Sequence, residues 1–166
     1  DIQTSIEIYK EQLRHGHIRT AYLTLTKYVA ELKSGFPKAY HTGGISFGYL
    51  DYTYFPFFNA YLRNRKLRFG VVLNHEQMQF ELWLMGQNGE VQKRYWEILK
   101  LSQWNQDRKE MPQYSVLEVV LENQIDFNNK ESMTQNIITG AMSLASEIQK
   151  YLENQDDESS VYGNML

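Results

Sequence analysis

Apolar and polar residues alternate through Leu67–Leu73 and again through Met78–Met85, with the polar stretch Asn74-His75-Glu76-Gln77 between them. A period of two is the mark of half-buried strands, and a short polar gap joins them as a hairpin. Before this hairpin the period changes. Ile2, Ile6, Tyr9 and Leu13 recur at helical spacing up to Gly16, which suits the residue just past a helix end. Ile18, Ala21, Tyr22, Leu25, Tyr28, Val29 and Leu32 form a second and stronger stripe, closed by Ser34-Gly35 with Pro37 beyond. The short link at Gly16 makes these two helices packed neighbours.

Between the second helix and the hairpin, ISFGYLDYTYF predicts a strand from Ile45 to about Thr53. Pro56 is expected to open a short helix through Leu62. After the hairpin, Asn88 is a candidate N-cap, and Val91, Tyr95, Ile98, Leu99 and Ser102 share a helical face. Pro112 breaks the pattern, and Val116–Leu121 reads as a fourth strand, with a helix the open alternative for so short a run. Ser132 with Gln135 has the spacing of a capping box, ahead of the helical run Met133, Ile137, Ala141, Leu144, Ala145, Ile148 and Leu152. The polar, acidic stretch 154–166 predicts a disordered tail. The expected fold is therefore α+β: a single domain over residues 1–153, with a mainly antiparallel sheet of about four strands, an N-terminal helical hairpin and covering helices.

Bulk properties narrow the chemistry. The 166 residues suit one domain, and 42% hydrophobic with 22% charged residues is ordinary for a globular protein. There is no cysteine, which removes thiolate catalysis, Cys-ligated zinc and iron–sulfur clusters. A net charge of −3 without a basic stripe argues against duplex binding. No apolar run approaches the ~20 residues that span a bilayer, and no secretory signal pattern is legible. The chain opens on Asp1 rather than Met, which leaves the natural start open.

One surface carries the candidate chemistry. Alternation places Arg68, Gly70 and Val72 with Gln79, Glu81, Trp83 and Met85 on the face opposite the core. A turn at residues 74–77 sets Gly70 opposite Glu81 and Arg68 opposite Trp83. A glycine inside a strand often marks a close approach to the backbone. The face thus offers a cation, a carboxylate and an aromatic plate, with Tyr49 and Asp51 nearby. The competing reading is an Arg–Trp cation–π pair with a salt-bridged Glu81 beneath a covering helix. The aromatics from Tyr40 to Tyr61 are expected to be core rim, or else the wall of a small-molecule pocket. Arg63, Arg65, Lys66 and Arg68 could touch a phosphate or act as solubility gatekeepers. His15, His17, His41 and His75 form no metal-ligand spacing: His75-Glu76 is followed by Gln79 where HExxH needs a second histidine. No GxSxG, P-loop or GxGxxG pattern is present.

The segments FGYLDYTYF, LRFGVVLNHEQMQFELWLMGQN, VQKRYWEIL and LENQIDFNN resemble an uncharacterised bacterial domain-of-unknown-function family over roughly Ile6–Leu152. That resemblance implies a small bacterial, cytoplasmic protein and carries no activity. The element order is also similar to the core of the PD-(D/E)xK nucleases. That likeness implies Asp51 and Glu81 as ligands of Mg or Mn, but the lysine position is Trp83 and Asp51 falls a strand too early. The expected function is a non-enzymatic binding or interaction domain using Arg68, Glu81 and Trp83. Arg68 and Trp83 are its expected anchors, and Glu81 would pair with a cationic or hydrogen-donating group. A degenerate or active metal-dependent nuclease is the alternative. The expected partner is a protein or small molecule, without cofactor, nucleic acid or membrane, and a homodimer is compatible.

Overall fold

The computed structural model describes residues 1–164, and the side chains of residues 1–156. Helices α1 (Ile2–His15) and α2 (His17–Ser34) form the N-terminal hairpin. They are joined by Gly16, whose φ of 81° is the left-handed conformation that glycine adopts without steric cost. Then come β1 (His41–Thr42), β2 (Tyr52–Phe58), α3 (Ala60–Asn64), β3 (Leu67–Asn74), β4 (Gln79–Gly86), α4 (Gly89–Leu99), β5 (Leu117–Glu122) and α5 (Lys130–Asn164). The five strands make one antiparallel sheet in chain order. The α+β expectation stands, with five strands rather than four.

The sheet has two unlike faces. Phe55 and Phe57 of β2, Phe69, Val71 and Leu73 of β3, Phe80, Leu82 and Leu84 of β4, and Leu117 of β5 all point one way. They pack with Leu25, Tyr28, Val29 and Leu32 of α2, Leu62 of α3, Val91 and Leu99 of α4, and Ile137, Ala141, Ala145 and Ile148 of α5. Each fully buried large side chain contributes about 2 kcal/mol of transfer free energy. Val72, Trp83 and Met85 point the other way and form a smaller cluster with Tyr52 and Tyr54 packed against it, Tyr52 meeting Tyr114 edge-on. No residue of α1 is buried; its apolar stripe stays on the surface.

Three boundaries differ from the sequence expectation, each for a local reason. The strand expected over 45–53 is mostly loop: only Ser46 bridges to the sheet, through Tyr54, and β2 begins at Tyr52. Pro56 lies inside β2 instead of opening a helix. Its carbonyl accepts from Gly43 N on the β1 side, so its missing N–H faces the place where the two-residue β1 has already ended. Asn59 caps α3, accepting from Leu62 N at 3.0 Å. Ser132 is not a cap: Asp126 closes a 3-10 turn at Phe127–Asn129 that runs straight into α5. The N-cap expected at Asn88 is present, accepting from Val91 N at 3.0 Å.

The segment expected to be disordered from 154 onward is helical to Asn164, while residues 165–166 lie outside the described residues. Asp156 supplies the reason at its near end. Its carboxylate accepts from the Tyr61 hydroxyl at 2.6 Å and from Arg65 at 2.8 and 3.2 Å. Burial and this carboxylate together push the Tyr61 phenol well above its ordinary value. Because Asp156 is half exposed, Asp156→Ala is expected to cost only about 1 kcal/mol. The loss should appear as a lower denaturation midpoint with an unchanged denaturant slope.

Candidate functional site

The central hairpin closes one residue later than the sequence suggested. Asn74 pairs with Gln79, leaving His75–Met78 as a four-residue loop. Asn74 Oδ1 accepts from Gln77 N at 3.1 Å, and Met78 takes a left-handed φ of 49°. This corrects the expected pairing by two positions: Gly70 faces Trp83, Val72 faces Glu81 and Arg68 faces Met85. A shift of two preserves which face each side chain occupies, so the composition of the outer face is as expected and only the partners change.

Glu81 and Trp83 meet; Arg68 does not join them. Glu81 is 5% exposed. One carboxylate oxygen accepts from Asn74 Nδ2 at 2.9 Å and Gln79 Nε2 at 2.7 Å, and the other accepts from the Trp83 indole at 2.8 Å. Trp83, 2% exposed, also meets the Tyr52 ring edge-on at 4.7 Å between centroids. Neither the Arg68–Trp83 cation–π pair nor a salt bridge to Glu81 occurs among the described residues. Gly70 is needed for packing: an added Cβ would stand 2.7 Å from Met85 Cε and 3.4 Å from Tyr54 Cδ2. The close approach it marks is made by the protein's own side chains.

Sequence reasoning missed the carboxylate of Glu118, which β5 brings opposite Trp83. Burial pushes the Glu118 carboxyl up; Arg108, at 3.4 Å, pulls it down, and the neighbouring Glu81 pushes it up further. The signal available in the sequence was only its place on the polar parity of β5. Asp51 lies outside the sheet, just before β2. Its Oδ1 accepts from Tyr49 N at 2.8 Å and Tyr52 N at 2.7 Å. Those two backbone donors hold its carboxyl below the usual range. Among the described residues no group of three His, Asp or Glu side chains is placed to hold a metal, so Asp51 and Glu81 acquire no third ligand.

What Asp51 does hold is a loop. Gly48 (φ 72°) and Leu50 (φ 64°) turn the chain left-handed on either side of Tyr49. At Gly48 a Cβ would collide with the Tyr52 carbonyl. From the sheet side, Thr53 Oγ1 donates to the Phe47 carbonyl at 2.7 Å, and His75 N donates to the Asp51 carbonyl at 2.9 Å. The single Thr53 hydroxyl proton is committed to Phe47. The 2.8 Å contact of Thr53 Oγ1 with His75 Nε2 is therefore donated by the imidazole. The loop so fixed carries its apolar side chains outward: Tyr49 is 94% exposed, and Phe47 and Leu50 are at least half exposed.

A family model for a domain of unknown function, DUF7000, matches residues 2–152. The chain belongs to the DUF7000 family. No curated protein and no solved structure matches it. Family membership agrees with the single α+β unit and assigns no chemistry to this DUF7000 domain. Among its described residues, no helix is long and apolar enough to cross a membrane.

Two outcomes follow for the outer face. Glu81→Ala strands three donors, two of them on a half-buried rim and one in the interior, and is expected to cost about 2–3 kcal/mol in chemical denaturation. An unchanged midpoint would show that the carboxylate does not hold this layer together. For His75, burial pushes the imidazole below its ordinary value of 6.5, with Asp51 pulling the other way. The unfolded chain then binds the proton more tightly, so this contribution is complete above about pH 6.5 and is lost as pH falls below it. His75→Gln, which can still donate to Thr53, should flatten the fall in Tm between pH 7 and 5.

Proposed function

We propose that this domain is a non-catalytic protein-binding module of the bacterial cytoplasm, contacting its partner through the Phe47–Leu50 loop. The observation that carries the reading is a rigid loop displaying three large apolar side chains to solvent. Single exposed apolar residues are common and need no explanation. Here, however, two left-handed residues, an aspartate staple and a buried threonine are arranged to hold an outward-facing Tyr49. Left-handed backbone at Leu50 costs on the order of 1 kcal/mol, and the core gains nothing visible from it.

A loop ordered in advance loses less conformational entropy on binding, which is how a small apolar contact becomes specific. Tyrosine suits such a role because it offers a large amphipathic surface with few rotatable bonds. Within this reading Tyr49 is the anchor and Asp51 its positioning residue. Glu81 and Trp83 form the buried floor that fixes the sheet behind the loop. Arg68 lies at the far end of β3 and takes no part.

The test is photo-crosslinking in cells, with a benzophenone analogue of phenylalanine placed at Tyr49 or, as a control, at the exposed Leu101. A discrete adduct from position 49, absent from position 101 and reduced several-fold by Asp51→Ala, is the expected result. An adduct with a second copy of the chain would identify the partner as itself. No adduct, or the same adducts from both positions, overturns the reading. Tyr49→Ser should change stability by no more than about 0.5 kcal/mol, as for other surface positions.

A further inference from the structure

We propose that the cleft at the opposite end of the same strands binds the dianionic head of a phosphate monoester. The cleft has a volume of about 160 Å³ and is lined by Phe58, Arg63, Lys66, Leu67, Arg68 and Gln87. Three of these six carry a positive charge. Among the described residues no carboxylate stands within 4.0 Å of any of the three. Their neighbour Arg65 shows the contrast. It is bound to Asp156 at 2.8 Å, and its guanidinium lies 3.6 Å over the Tyr61 ring, turned away to another task. The run Arg63-Asn-Arg65-Lys66-Leu-Arg68 is thus divided by the fold: one cation is neutralised and the other three residues line one cavity.

The backbone adds to this. Lys66 follows the end of α3 with a φ of 58°, the left-handed position where glycine or asparagine is usual. Its carbonyl accepts from Gln87 N at 2.9 Å, which ties the corner to the end of β4. A lysine held there at a steric cost indicates that the chain has a use for its side chain, since strain persists where function requires it. Arg63 is partly ordered before any ligand arrives, its guanidinium 5.2 Å from the centre of the Phe58 ring. Dispersed gatekeeper charges need neither a shared cavity nor a strained lysine.

The chemistry selects the ligand class. Two guanidinium forks and an ammonium offer many donors and no acceptor, and three positive charges suit a dianion better than the single charge of a carboxylate. Gln87 adds a neutral amide donor. Phe58, half-buried, offers an apolar wall beside the charged head, suited to the ester substituent as it leaves the cavity. Sequence and position make this site independent of the Phe47–Leu50 loop.

The experiment is a titration of the isotopically labelled protein at constant ionic strength with inorganic phosphate, phenyl phosphate and chloride, followed by backbone and arginine side-chain NMR. Saturable shifts at Phe58, Lys66, Gln87 and the Arg63 and Arg68 guanidinium signals are expected with both phosphates. A tighter response to phenyl phosphate assigns an aryl ester, and equal responses assign the phosphate head alone. Arg63→Gln, a change at an exposed residue, and Arg68→Gln should each weaken binding about tenfold. Lys66→Gly should weaken it too while leaving Tm unchanged or higher, because glycine relieves the backbone. The proposal is overturned if chloride gives the same shifts, if the response does not saturate, or if Arg63→Gln and Arg68→Gln bind phosphate as the parent does.

Discussion

A five-stranded sheet with helices on only one side must find its own cover for the other, and most of this molecule's outer chemistry follows from that constraint. The inner face is conventional, with Phe55, Phe57, Phe69 and Leu82 packed beneath α2 and α5. Among the described residues no helix side chain joins the outer cluster. Tyr52, Tyr54, Trp83 and Met85 pack there with Val72, and Met85 and Tyr54 fill the space above Gly70. The Trp83 indole N–H lies in the interior, and a buried donor must be satisfied. Glu81 satisfies it, and Asn74 and Gln79 in turn satisfy Glu81. A carboxylate held by three neutral donors and no cation avoids the need to bury a second charge.

The same layer explains why the outer face, chosen in the sequence for its Arg68, Glu81 and Trp83, is not itself an open binding surface. Residue types that dominate interfaces are also those that cover a sheet lacking a second layer. Only burial tells the two uses apart. In this chain Tyr49, on a loop, is 94% exposed, and half-buried Arg68 lies beside the exposed Arg63 and Lys66.

What the sequence made legible was periodic. α2, β3, β4, α4, β5 and most of α5 follow apolar spacings that point to one face, and the α+β architecture comes from their order. Three things were not legible, each because its cause is non-local or conformational. The hairpin register depends on Met78 taking a left-handed φ, which methionine does not advertise. β2 is almost uniformly aromatic, so it offers no polarity contrast to mark its start, and Pro56 is admissible in it only because β1 stops at Thr42. The start of α5 depends on Asp126 and its 3-10 turn, and Ser132 matched the capping pattern inside a helix already formed. Of the candidate residues, Tyr49 and Asp51 were named for lying near the Arg68–Glu81–Trp83 face. The hydrogen bonds that tie the Asp51 carboxylate to the Tyr49 and Tyr52 amides go with left-handed backbone at Gly48 and Leu50, which no residue pattern announces.

The Phe47–Leu50 loop and the cationic cleft stand at opposite ends of β3. The loop is tied to the sheet beside Asn74 and His75, and the cationic cleft gathers around Leu67 and Arg68. Eight residues of extended chain separate these ends by about 24 Å, well beyond a Debye length of roughly 8 Å at physiological salt. Direct electrostatic coupling between an anion in the cleft and a partner on the loop is therefore negligible. Any coupling would have to pass through the intervening strands, whose outer layer is pinned by Glu81 and whose inner layer is close-packed. Such coupling would require an element with two arrangements, and close packing of the inner layer opposes one. The two proposed contacts are thus independent and lie at opposite ends of one sheet: a phosphate-bearing group at the β3 start and a protein at the Phe47–Leu50 loop.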